Sequence, residues 1–322
     1  MAQTGPKPTK ALLQLSIDIS DEYAVSSEEP LSTTHLPKVL TTCNHNLPRD
    51  FSTFTPKPRP SCLFTQRPFT PLHPEHRAAQ SSQQAQALKD HWRLTLQSLL
   101  LANQTPQPDL NSIRDRAVSL PRLFPSRKTL ILDLDETLVH CNSTEPQVIL
   151  PIALPAGASG TAGISVRPFV RELLETVADI YEVVVFTASQ SYYADSVIDY
   201  LDPEGRLIHH RLYRESCLSG PNGLYIKDLR ILAGRRLQDM VIVDNTVYSF
   251  CFQLDNGVPI LSWQNDPQDR EMIRLREYLK LLAQAPDVRV VNRATFQLYR
   301  LGRDCVRQAR SNKENSPSTN TK

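Results

Sequence analysis

The sequence has almost no net charge, no closely paired cysteines and no long apolar run, and each absence removes a class of protein. Its 36 Lys and Arg residues nearly cancel its 34 Asp and Glu residues, leaving a formal charge of +2. No strong field therefore steers it onto nucleic acid or a lipid surface. The six cysteines, at 43, 62, 141, 217, 251 and 305, are scattered without a C-x-x-C pair. Metal-finger spacing is thus absent, and reduced thiols are expected. No stretch reaches the roughly 20 apolar residues needed to cross a bilayer, and the opening MAQTGPKPTK lacks the apolar centre of a secretory signal. A soluble intracellular protein of the nucleus, the cytoplasm or both is expected. No internal repeat points to a solenoid.

What is present changes along the chain. Eleven of the 25 prolines fall in the first 74 residues, mixed with Ser, Thr, His and Lys. Such a stretch fixes torsions and offers few regularly spaced apolar side chains, so residues 1–80 are expected to be disordered. Its Pro-rich strings suit SH3- or WW-type modules. Over 81–126, Ser81 and Ser82 can cap a helix in which Leu88, Trp92, Leu96, Leu99 and Leu100 share one face. That helix is expected to pack on the domain that follows; docking a partner is the alternative.

From 127 to 300 short apolar runs alternate with helical pieces. TLILDLD, YEVVVFT, DMVIVDN, VPILSW and VRVV read as strands covered on both faces. RPFVRELLETVADI, then SQSYYADSVIDYLD capped by Ser189, then the segment after Asp266 as cap and Pro267 as first residue read as helices. The alternation predicts an α/β domain, a Rossmann-like parallel sheet with helices on both faces. Segments 141–166 and 204–225 read as insertions, the first a small β element. Residues 301–322 read as a polar tail.

Ligands bind beyond the carboxyl ends of parallel strands. Three predicted strands end in polar residues there: Asp133-Leu134-Asp135-Glu136-Thr137, Thr187, and Asp244-Asn245, with Lys227 shortly before the third. Phosphoryl transfer needs this inventory. Asp133 can attack phosphorus, and Asp135 can protonate the leaving alkoxide and then take a proton from water. Asp133 and Asp244 can supply carboxylates to Mg²⁺, while Thr187 and Lys227 can meet the phosphoryl oxygens.

These residues resemble the haloacid dehalogenase superfamily. More narrowly, LDLDETLVH, VVFTASQSYYADSVIDYLDP, HRLYRESCLSGPNGLYIKDL and VIVDNTVYSFCFQLDNGVPILSWQNDPQDREM resemble the small phosphatases of the RNA polymerase II C-terminal domain, the NLI-interacting-factor-like family. The resemblance implies a magnesium-dependent serine/threonine protein phosphatase with Asp133 as nucleophile and Asp135 as acid and base. It implies phosphate binding by Thr187, Lys227 and Arg214, and Mg²⁺ held by Asp133, the carbonyl of Asp135, Asp244 and Asn245. It also places Ile149, Ile152 and Leu154 in an apolar pocket for a proline beside the phosphorylated residue. The stretch PAGASGTAGIS departs from the family pattern, as does an extra residue within 218–222.

Two other classes compete. A phosphopeptide-binding adaptor would need no catalytic set, and the presence of Asp133, Asp135, Lys227 and Asp244 argues against it. A small-metabolite phosphohydrolase of the same superfamily would need a bulky helical cap, and neither insertion is long enough.

Overall fold

The computed structural model describes residues 82–142 and 144–314; the Pro-rich extension and residues 315–322 lie outside the described residues. Helix α1 (Ser82–Gln104) and a short α2 (Leu110–Asp115) precede β1 (Lys128–Leu132). Then come β2 (Val139–Cys141), β3 (Val148–Ala153), β4 (Ser159–Val166), α3 (Val170–Ala178), β5 (Tyr181–Phe186), α4 (Ser191–Leu201) and β6 (His210–Leu212). A hairpin of β7 (Leu218–Ser219) and β8 (Tyr225–Ile226) leads to β9 (Met240–Asp244) and β10 (Gly257–Pro259). Three helices follow, α5 (Glu271–Gln284), α6 (Val288–Phe296) and α7 (Leu298–Glu314).

Five strands in the order β10-β9-β1-β5-β6 form one parallel sheet. Leu130, Ile131, Leu132, Val183, Val184, Val185, Phe186, Val241, Ile242 and Val243 have no exposed surface. Apolar runs without alternation fold this way because both faces of the sheet must be covered by other elements. The chain leaves β1 with β5 on one side and β9 on the other, which opens a crevice at their carboxyl ends. The ladder runs on past the strands: Asp133 N–H donates to Val243 O at 3.0 Å, Thr187 N–H to Leu212 O at 2.9 Å, and Ile260 N–H to Asp244 O at 3.1 Å. Backbone pairing therefore fixes Asp133, Thr187 and Asp244 at one end of the sheet.

Segment 141–166 contributes to an antiparallel sheet of order β2-β4-β3. Along β3, Leu150 and Ile152 are buried while Ile149 is 62% exposed. A strand alternates its side chains, so Ile149 and Ile152 face opposite sides and do not form one pocket wall as the resemblance implied.

Other expectations are corrected. VRVV from Val288 is helical, not a strand: the Asp287 carboxylate accepts from Arg289 N–H as N-cap, and Val288, Asn292 and Phe296 bury one helical face. Segment 204–225 is not wholly an insertion, because β6 joins the main sheet beside β5. The cap of α4 is Gln190 rather than Ser189. Helix α5 begins at Glu271 with Arg270 as cap, while Asp266 closes a turn by accepting from Gln268 N–H at 2.9 Å. The polar tail is helical to Glu314.

Helix α1 packs as expected, with Leu88, Leu96, Leu99 and Leu100 buried against α7 and the irregular turn Val247–Asn256. Gly302 of α7 lies against Leu99, where an added Cβ would make ordinary 3.7 Å contacts.

One carboxylate outside the crevice makes stability depend on pH. Asp202, buried after α4, accepts from the N–H groups of Arg206 (3.0 Å), Leu207 (2.8 Å) and Ile208 (2.8 Å). Burial by itself would raise its pKa, but these bonds outweigh it and hold the carboxyl below its ordinary value. A depressed carboxylate stabilises the fold fully above its unfolded pKa of about 4, and that contribution is lost as pH falls through the folded value. Denaturant midpoints are expected to fall from pH 6 to pH 3, with a smaller drop in Asp202→Asn.

Candidate active site

Asp133 follows the last residue of β1 and Asp244 is the last of β9, so neighbouring strands carry them to the same crevice. Lys227, directly after β8, reaches between them. Its Nζ donates to Asp133 Oδ1 in a short contact and to Asp244 Oδ2 at 2.7 Å. All three are buried, with Lys227 only 2% exposed. Burial alone would lower the pKa of the ammonium, but the two carboxylates outweigh it and hold the value above the ordinary one. Burial raises the Asp244 carboxyl, opposed by Lys227 and reinforced by the charge of Asp133. The second oxygens are also occupied: Thr137 Oγ1 donates to Asp133 Oδ2 at 2.7 Å, and Thr246 N–H to Asp244 Oδ1 at 2.8 Å.

Asp135 stands on the other side of the crevice, beside the end of β5. Ser189 Oγ donates to its Oδ2 at 2.7 Å, Thr187 Oγ1 to the same oxygen at 3.3 Å, and Tyr193 O–H to Oδ1 at 2.9 Å. Burial pushes its carboxyl up to about 7, helped by the charges of Asp133 and Glu136, while the Ser189 and Tyr193 bonds pull the other way. Two carboxylates two residues apart thus have different surroundings: Asp133 accepts from an ammonium, and the donors to Asp135 among the described residues are hydroxyls. The chain turns back at once after Asp135, with Glu136 at φ 56°, a left-handed conformation uncommon for a residue with a Cβ. Glu136 N–H donates to Val139 O at 2.7 Å, and Glu136 O accepts from Trp263 N–H at 2.8 Å, which holds the turn.

The remaining expected residues lie at the edge. Asn245 Nδ2 donates to Ser262 Oγ at 2.9 Å. Arg214 Nε donates to Ala188 O at 2.6 Å, and its guanidinium stacks 5.2 Å from the centre of the Tyr225 ring. Neither makes a hydrogen bond to Asp133, Asp135 or Asp244. Among the described residues, no three His, Cys, Asp or Glu side chains converge as a metal cage.

Sequence reasoning gave Thr137 and Tyr193 no place in the site and read Ser189 only as a helix cap. Spacing held the signal. Thr137 lies four residues after Asp133 in a tight turn, and Ser189 and Tyr193 flank the Gln190 cap of α4, one just before the helix and one in its first turn, so both hydroxyls reach one carboxylate.

The chain is 43% identical over 204 residues to CTD small phosphatase-like protein 2 of Dictyostelium discoideum, covering 62% of this chain and 34% of that protein. It is 38% identical over 221 residues to CTD small phosphatase-like protein 3 of Caenorhabditis elegans, covering 66% and 75%. To the Homo sapiens CTD small phosphatase-like protein it is 40% identical over 165 residues, covering 50% and 58%. The chain thus spans from about a third to three quarters of the length of these relatives. The solved structure of Fcp1, an essential RNA polymerase II CTD phosphatase, is similar at 19% identity and a TM-score of 0.38, covering 65% of this chain and 58% of that one. Residues 128–289, from β1 to the first turn of α6, match the NLI interacting factor-like phosphatases, and the chain belongs to that family.

Proposed function

We propose that this chain is a magnesium-dependent phosphatase of phosphoserine and phosphothreonine in proteins, acting through an aspartyl phosphate on Asp133. The observation that carries the reading is the contrast between the two carboxylates: Asp133 beside Lys227, and Asp135 raised to about 7 among three hydroxyls. An unprotonated carboxylate is a nucleophile, and one poised near neutrality exchanges protons.

An Asp133 oxygen attacks phosphorus, and the bond from phosphorus to the seryl or threonyl oxygen breaks. Asp135 gives its proton to that oxygen, so a neutral alcohol leaves. Asp135 then takes a proton from water, whose oxygen attacks the same phosphorus. The bond from phosphorus to Asp133 breaks, releasing phosphate and restoring the Asp133 carboxylate and the protonated Asp135. Lys227 and the Thr187 hydroxyl face the equatorial oxygens, where charge is redistributed. Arg214, at the rim, meets the phosphate or its peptide.

The donor set fits a hard cation. Asp133 and Asp244 already share one cationic partner, Lys227, and together the three carry a formal charge of −1. Mg²⁺ takes few carboxylates and keeps several waters, so two carboxylates suit it better than a closed cage would. Asp133, the carbonyl of Asp135, Asp244 and Asn245 would hold Mg²⁺, which supplies positive charge against repulsion between these carboxylates and a phosphate dianion. The insertion after β1 is the small sheet β2-β4-β3, and Lys227 follows the hairpin β7-β8; neither is a helical cap. That favours a protein substrate over a small metabolite.

The test is phosphate release from phosphoserine and phosphothreonine peptides, polymerase-tail repeats among them, with Mg²⁺ or with chelator. Release is expected with Mg²⁺ and a loss of about a hundredfold or more with chelator, the size of losing one stabiliser of developing charge. Equal release under both conditions contradicts the metal assignment. Binding without release from any peptide, with p-nitrophenyl phosphate also intact, would leave the adaptor reading.

A further inference from the structure

Lys227 is central to the proposed reading, so the contacts that hold it matter for activity. Its hairpin is anchored through the backbone and through the residue before it. Lys227 N–H donates to Ser249 O at 2.7 Å, and the preceding Ile226 forms, with Tyr248 and Cys251, a small core separate from the main one. Leu101 and Ala102, from the last turn of α1, pack against that core.

Tyr248 is the centre of this arrangement. It is buried at 1% exposure, and its hydroxyl lies 3.0 Å from Thr105 Oγ1. The Thr105 hydroxyl donates its one proton to Leu101 O at 2.9 Å, so Tyr248 O–H is the donor in the shared bond. The hairpin closes tightly over the ring: a Cβ at Gly220 would fall 2.5 Å from the Tyr248 hydroxyl oxygen. Tyr248 also sits three residues after Asn245, in the turn that continues from Asp244. Helix α1 and Thr105 precede the stretch 128–289 that matches the family.

We propose that Tyr248 and Thr105 are positioning residues for Lys227, so that α1 is built into the phosphate site. The inference rests on the proposed role of Lys227 in binding phosphate. The hydroxyl bond pins the end of α1 to the turn, the turn carries Ser249, and Ser249 fixes the backbone of Lys227. Loosening that bond lets the ammonium shift from its position between Asp133 and Asp244.

Full-length Tyr248→Phe, Thr105→Val, the double variant and Lys227→Ala are compared for kcat, KM, inhibition by inorganic phosphate, thermal midpoint and hydrogen exchange of the Lys227 amide. Tyr248→Phe and Thr105→Val are each expected to raise KM and the phosphate inhibition constant about three- to tenfold, in line with one lost neutral hydrogen bond. Exchange at the Lys227 amide should quicken by a similar factor with little change in thermal midpoint. The double variant should be no worse than Thr105→Val, because Tyr248→Phe deletes only a bond that Thr105→Val already removes. Unchanged phosphate inhibition and unchanged Lys227 exchange in the single variants, while Lys227→Ala weakens phosphate inhibition, would overturn the inference alone. Lys227→Ala with wild-type phosphate inhibition would overturn the role of Lys227 in the proposed function, and the inference with it.

Discussion

Asp133→Asn is expected to lower phosphate release by about a thousandfold or more, the range seen when a covalent nucleophile is removed, while leaving the fold intact. An amide has the shape of the carboxylate but cannot form the acyl phosphate. The substitution is mild for stability because its oxygen can still accept from Thr137 or Lys227, which now hold Asp133 at 2.7 Å and in a short contact. It also takes the formal charge of Asp133, Lys227 and Asp244 from −1 to zero, removing repulsion between two buried carboxylates. Phosphate release and denaturant midpoint measured on the same preparations check both halves. Residual activity within tenfold of wild type would remove Asp133 from the mechanism.

Arg167→Ala is expected to cost about 3–5 kcal/mol of stability, the usual cost of breaking a buried ion pair. That is a large share of the roughly 5–15 kcal/mol that holds a domain folded. Arg167 is 1% exposed. Its Nε and Nη2 each donate to Asp269 at 2.9 Å, and its Nη1 donates to Leu261 O at 2.9 Å and Thr137 O at 3.2 Å. Truncation leaves the Asp269 carboxylate desolvated beside the start of α5 and removes the donor shared by two carbonyls. One of those belongs to the turn after Asp135, so activity should fall as well. Arg171→Ala is the control: its pair with Glu175 is about half exposed on both sides, and such pairs contribute little. A denaturant midpoint that falls strongly for Arg167→Ala and hardly for Arg171→Ala, with unchanged slope, is the expected result. Equal shifts would contradict it.

These two sites differ in how far they could be read from the sequence. The strand ends were legible because Leu130–Leu132 and Val241–Val243 are buried on both faces, so their apolar runs are unbroken and the polar residues that end them stand out. Asp133 and Asp244 meet in the crevice for that reason, and Lys227 reaches them from the end of β8. Arg167 was not legible: its partners Asp269, Leu261 and Thr137 lie 102, 94 and 30 residues away, and no local spacing announces them. Val288 was misread because three valines in VRVV favour a strand locally, whereas Asp287 caps a helix whose buried face includes the polar Asn292. β6 was missed because HRL has a single buried apolar residue and lies at the sheet edge. Ser189 was read as a helix cap because Ser before an apolar helix usually is one; here its hydroxyl goes to Asp135 instead.

The central claim is that phosphorus is carried for a moment on Asp133. Wild-type protein mixed with excess phosphopeptide and Mg²⁺, quenched with borohydride during turnover and digested for mass spectrometry, tests it directly, since borohydride reduces an acyl phosphate to an alcohol. Conversion of Asp133 to homoserine, absent without phosphopeptide, is the predicted result. Steady phosphate release with Asp133 recovered unmodified, or homoserine at another aspartate, would contradict the account.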